Sequence, residues 1–346
     1  MRTPSHARRW AILGATLVAL AACGQSVPAT SPPPSSLGSP ATGPSPSSAT
    51  GVTPSAVPPP ATSPAALRFS AVRSAIRLPA GRSRAVAVVL GSDLLVCGGL
   101  TGAGTTSSIL RIDLATGAVS PFGTLARAVH DAGGAVLSGW AYVFGGGSSV
   151  AEATIQRFGP TGASTQVGQL PVVRADLVAV AVAGEIVIVG GGTPAGPDGR
   201  ILATTDGIHL RTIGRLLVPV RYPAVAVLDG IVYVLGGATA AGDTTTIQAV
   251  DPGSGSVRLV GRLPRALSHG SGLVVAGAIL VAGGRSAGVA QAELWRLDPT
   301  TGGVSSVGRL PYAISDAAAV VAGGRGELIG GETSSPVATV ITVTGT

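Results

Sequence analysis

From residue 67 onward the chain alternates between short apolar runs and small or polar turns. A fully apolar run such as Ile231-Val232-Tyr233-Val234-Leu235 ends in a glycine doublet, and the same event recurs along the chain. The doublets fall at Gly98-Gly99, Gly145-Gly146, Gly190-Gly191, Gly236-Gly237, Gly283-Gly284 and Gly330-Gly331, at spacings of 47, 45, 46, 47 and 47. Twenty residues before each stands a leucine: Leu78, Leu125, Leu170, Leu216, Leu263 and Leu310. Six residues before each stands Gly or Ser, at Ser92, Gly139, Gly184, Gly230, Gly277 and Gly324. A constant phase over six units marks an internal repeat, and such a repeat decides the architecture.

Each unit reads as four short strands. A small-residue run such as Ala224-Val225-Ala226-Val227 comes first, then a turn at the Gly, then the fully apolar run. Full apolarity implies burial on both faces. A variable loop leads to a third strand such as Ala292 to Leu297. A turn of the Asp298-Pro299-Thr300-Thr301-Gly302 type then leads to a fourth, Val304 to Leu310. Four strands in ~46 residues, six times over, predict an all-β, six-bladed propeller. After Gly331 only a third-strand equivalent remains, Val337 to Thr344, while Phe69 to Pro79 matches a fourth strand. The N-terminal strand is therefore expected to complete the last blade, which leaves no central edge unpaired.

The apolar-Tyr-x-x-Gly-Gly stretch, kept with Tyr at Tyr142 and Tyr233, resembles kelch repeats, as do the aspartate turns at Asp113, Asp251 and Asp298. The kelch tryptophan position is not kept and holds Val72, Val119, Ser164, Leu210, Val257 and Val304. The resemblance, to a divergent and aromatic-poor kelch propeller, covers residues 67–346. It implies that the loop entering each innermost strand lines the mouth of the central channel, with the loops after the doublets on the same side.

Residues 1–23 read as an export leader: Arg2, Arg8 and Arg9, then an apolar run from Trp10 to Leu20, then Leu20-Ala21-Ala22-Cys23. The run is too short for a membrane-spanning helix. The ending resembles a bacterial lipobox, which implies cleavage before Cys23 and its lipidation. Residues 24–66 hold 12 Pro, 10 Ser and 5 Thr and no charge, the composition of a disordered tether. The expected location is the extracytoplasmic face of the cell membrane, through the lipid anchor alone. Cys97 then has no partner and is expected to be buried and inert.

All 23 basic residues are arginine; Lys and Asn are missing, which suggests a high-GC genome. Without Lys there is no P-loop lysine, Schiff base or pyridoxal anchor. The formal charge of +7 includes three leader arginines and is too mild and dispersed for a nucleic-acid partner. There is no Gly-x-Ser-x-Gly elbow and no thiolate set for zinc. No cofactor and no metal is expected.

Chemistry concentrates at one repeat position. Fourteen residues before the doublets stand Arg84, Asp131, Asp176, Tyr222, His269 and Asp316, with Arg82, His130, Arg174 and Arg221 beside them. Charged residues make up only 11% of the chain, so this clustering at the predicted mouth makes these ten the candidate ligand-binding residues. Ion pairs that register neighbouring blades would account for it equally well. Arg285 and Glu332, in adjacent post-doublet loops, are expected to pair. Glu327 occupies a normally apolar strand site, with Arg325 two residues away to compensate it.

Two functions from different classes remain. One is a monomeric binding module holding a protein, peptide or glycan at the mouth. The other is a carbohydrate-acting enzyme resembling kelch-type sialic acid epimerases. Arg82, Arg84, Arg174 and Arg221 would favour an anionic or amphoteric ligand through their planar forks.

Overall fold

The computed structural model describes residues 67–346; the leader, Cys23 and the tether lie outside the described residues. The described chain is a six-bladed β-propeller of four-stranded antiparallel sheets. The innermost strands are Val86–Leu90, Gly133–Leu137, Ala175–Val182, Ala224–Leu228, Ser271–Val275 and Ala318–Ala322, taken as blades 1 to 6. The second strands are the apolar runs of the repeat; that of blade 4, Ile231–Leu235, is buried but for its first residue. Blade 6 closes the ring as expected: Phe69–Arg77 pairs with Thr339–Gly345, which pairs with Arg325–Ile329.

The core is divided into six apolar clusters, one for each junction between blades. The repeated leucines plug these junctions. Leu125 packs between blades 1 and 2, Leu170 between 2 and 3, and Leu78 between 6 and 1. Each blade thus buries its two faces against its neighbours, and the burial is shared around the ring rather than concentrated in one centre.

The glycine doublet has a specific cause. The second glycine of each doublet donates its N–H to a carbonyl in the loop entering the next blade. The six bonds are Gly99 to Val129, Gly146 to Arg174, Gly191 to Val220, Gly237 to Leu267, Gly284 to Ile314 and Gly331 to Arg82, at 2.7–2.9 Å. They form a closed circuit. The second glycines have φ from +77° to +105°. A Cβ on the first glycine of the pair would run into the same carbonyl in five of the six blades. No side chain fits there, so the doublet is the device that lets blades approach.

Candidate functional site

The loop before each innermost strand and the loop after each doublet lie on one face, tied by short bridges such as Ser83 with Leu100, His130 with Gly147 and Ser315 with Glu332. The six residues at the repeated polar position stand on this face and share one backbone conformation. Arg84, Asp131, Asp176, Tyr222, His269 and Asp316 all have φ between +53° and +62°. Each donates its N–H to the carbonyl of the equivalent residue one blade back, with Arg84 donating to Asp316, so a second closed circuit of six bonds at 2.7–3.0 Å encircles the channel. Asp and His tolerate the left-handed region better than most residues, which accounts for four of the six identities. The polar clustering seen in the sequence thus has a backbone cause as well as a chemical one.

The side chains divide the mouth into two unlike halves. Over blades 5, 6 and 1 they form a closed network. Glu332 accepts from Arg84 at 2.9 Å, from Ser83 at 2.8 Å and from Arg285. Asp316 lies 3.0 Å from Arg285 and accepts from Ser315 at 2.7 Å. Burial acts against ionisation of Glu332, but the Arg84 and Ser83 hydrogen bonds outweigh it and hold the carboxyl below its ordinary range. The expected Arg285–Glu332 pair is present. His269 is stacked on Tyr222, ring centres 3.7 Å apart, and burial with the nearby Arg285 and Arg84 brings it down to about 4, so it is neutral at pH 7.

Over blades 2, 3 and 4 the mouth opens into a pocket of about 520 Å³ lined by Arg84, His130, Asp131, Asp176, Arg221 and Tyr222. Its origin lies in small residues. The position next to the ring residue is Ser83, Ser268 and Ser315 in the closed half, but Ala175 in blade 3. The position after the doublet is Arg285 and Glu332 in blades 5 and 6, but Gly147 and Gly192 in blades 2 and 3. Arg221 pairs with Asp176 at 2.5 Å and lies 4.8 Å from the Tyr222 ring centre. Arg84 reaches Asp131 at 3.2 Å. Burial, aided by Asp176 and Asp316, raises Asp131 to about 7 despite Arg84. Burial likewise raises Asp176, and it lowers His130, whose Nδ1 lies 2.9 Å from Thr105 Oγ1.

Two of the ten expected residues are not in the mouth. The Arg82 side chain is buried within blade 1 and donates to the Gly98 and Ser108 carbonyls at 3.1 and 3.2 Å. Arg174 is 1% exposed and donates to the Gly190 and Arg200 carbonyls at 2.6 and 3.0 Å. Both stand where the other blades carry Val129, Val220, Leu267 and Ile314. They act as buried clamps across their own blades, because a long side chain at that position points into the blade junction. Of the four arginines expected there, Arg84 and Arg221 stand at the mouth. Arg285 and Glu332 enter the mouth instead, through the post-doublet loops.

Below the ring, small apolar residues line the channel: Ala85, Ala132, Pro223, Gly270 and Ala317 at its neck, Val and Ala beyond. Cys97 is buried, and burial pushes its thiol up to about 12, as an inert thiol requires. Among the described residues no cluster of His, Cys, Asp or Glu suits a metal ion.

No family profile and no curated protein matches this chain. Among solved structures the chain resembles that of YjhT. The TM-score is 0.67 and the identity 14%, over 78% of this chain and 96% of that one. The likeness is one of fold.

Proposed function

We propose that the chain is a kelch-type propeller, exported and lipid-anchored at Cys23, that works as a binding module for a peptide, glycan or protein segment. The observation that carries the reading is the open pocket over blades 2 to 4, in a mouth whose other half is filled by its own ion pairs. A fold of this kind hosts many functions, so the site and not the architecture supports the reading. A second reading, a carbohydrate-acting enzyme, draws on two carboxyls of raised pKa beside the same pocket, an arrangement suited to general acid–base work.

The test is a glycan and peptide array probed with the wild-type chain and with Ala175→Trp, which fills the pocket from the position that His130 and Arg221 occupy in blades 2 and 4. Array signals lost in the variant at unchanged melting temperature support the pocket. Signals that survive the filling reject it. For the anchor, Cys23→Ser is expected to move the protein from the detergent phase to the aqueous phase of a cell extract, and unchanged partition rejects lipidation.

A further inference from the structure

The mouth groups are four carboxylates, Asp131, Asp176, Asp316 and Glu332, against three guanidinium groups, Arg84, Arg221 and Arg285. Each of the three arginines is already within 3.2 Å of a carboxylate, so an incoming anion must compete with an existing ion pair. Both histidines are held toward the neutral form by burial and by neighbouring arginines.

Asp131 is the group left over. Its side chain is 10% exposed and lines the open pocket. Its Oδ2 takes the Arg84 hydrogen bond at 3.2 Å, and that arginine is shared with Glu332 at 2.9 Å. His130 Nε2 stands 3.6 Å from Oδ2, beyond a hydrogen bond. Its Oδ1 accepts no hydrogen bond from any described residue. That oxygen stands at the open pocket without a protein donor, where a donor from a ligand can reach it.

On the reading that the mouth is the binding site, we propose that its ligand presents a cationic nitrogen, an ammonium or a guanidinium, to Asp131 and Asp176. Such a group supplies a donor to Oδ1 and, once Asp131 is ionised, balances the one carboxylate in excess of the arginines. The Asp131 carboxyl, at about 7, must lose its proton to accept this group. The charged and titratable groups facing it are Arg84, Asp316, His130, Asp176, Arg221 and Tyr222. With the histidines neutral, Asp131 sets the response near pH 7. Ionisation of a group of pKa about 7 makes cation affinity rise about tenfold between pH 6 and pH 8, and an anion would show the opposite slope.

The experiment titrates the full chain with three four-carbon probes, 1,4-diaminobutane, succinate and 1,4-butanediol, by calorimetry, and follows the His130 and His269 ring signals by NMR. The expected result is diamine binding that shifts the His130 signal, gains about tenfold from pH 6 to pH 8, and weakens with salt. Asp131→Asn should abolish this pH slope and most of the affinity; asparagine tolerates the left-handed backbone, so the variant is expected to fold. Diamine binding equal in wild type and variant overturns the proposal. Succinate binding at the same histidine, stronger at pH 6, overturns the cationic ligand while leaving the mouth as the site. Silence of all three probes at the histidines overturns both.

Discussion

Arg84 and Asp131, one blade apart, are joined twice. The Asp131 N–H donates to the Arg84 carbonyl at 3.0 Å, and the Arg84 guanidinium reaches back to the Asp131 carboxylate at 3.2 Å. The first bond belongs to a circuit repeated in every blade, and the second is made by this pair of side chains. Backbone closure and side-chain chemistry therefore meet at the same residues.

This double role predicts the behaviour of Arg84→Ala. Arg84 also contacts Glu332 and, at 3.9 Å, Asp316, so its loss leaves three largely buried carboxyls facing one another with Arg285 as the remaining cation of that half. Removing one partner of a buried pair is costly, and with partial exposure of Arg84 the expected loss is about 2 kcal/mol at pH 7. The loss should shrink toward pH 5, where Asp131 takes up its proton. Chemical denaturation of the full chain at both pH values checks it. Arg84→Ala as stable as wild type at pH 7 would show that the network contributes nothing.

The blade count, the closure by Phe69–Arg77 and the ring position were legible in the sequence, because repeats multiply a weak local signal sixfold. What was not legible followed from direction. Arg82 and Arg84 are two residues apart, yet one is buried in its blade and the other lies at the mouth. A strand would place them on one face, but Arg84 has a φ of +54°, which reverses the alternation. Spacing alone does not report that reversal. The open half of the mouth was missed for a similar reason: it is made by what Ala175, Gly147 and Gly192 lack.

Glu327 gives a prediction about pH. It is 2% exposed in the second strand of blade 6, at a position filled elsewhere by Leu95, Tyr142, Val187, Tyr233 and Leu280. Burial raises its carboxyl above the ordinary range, against the Thr342 hydrogen bond at 2.8 Å and the pull of Arg325. A raised carboxyl means that the folded state binds the proton more tightly than the unfolded chain. Its contribution is therefore favourable at low pH and is lost as pH rises through the folded value. Glu327→Gln keeps an acceptor for Thr342 and removes the ionisation. The variant is expected to be more stable than wild type at pH 8 and to differ little from it at pH 4. A constant difference across that range would place the raised pKa in doubt.

Arg174 and Arg221 separate stability from recognition. Arg174 is fully buried, spans the Gly190 and Arg200 carbonyls, and lies 3.7 Å from Asp198. Arg174→Ala removes the donor from the Gly190 and Arg200 carbonyls and opens a void, so a loss of about 3 kcal/mol is expected. It should leave diamine affinity unchanged, because the side chain is 1% exposed and does not line the pocket. Arg221 is the reverse case. Its side chain is 44% exposed and its partner is Asp176, which Arg221→Ala leaves uncompensated at the pocket wall. Asp176 is only 4% exposed, so stability should fall by about 2 kcal/mol, less than for Arg174→Ala. Diamine affinity should rise several-fold while Asp131 stays in place. Melting curves and calorimetry on the two variants measure both quantities. Weaker diamine binding by Arg221→Ala would mean that an uncompensated Asp176 does not draw the ammonium to the pocket, against the proposed contact.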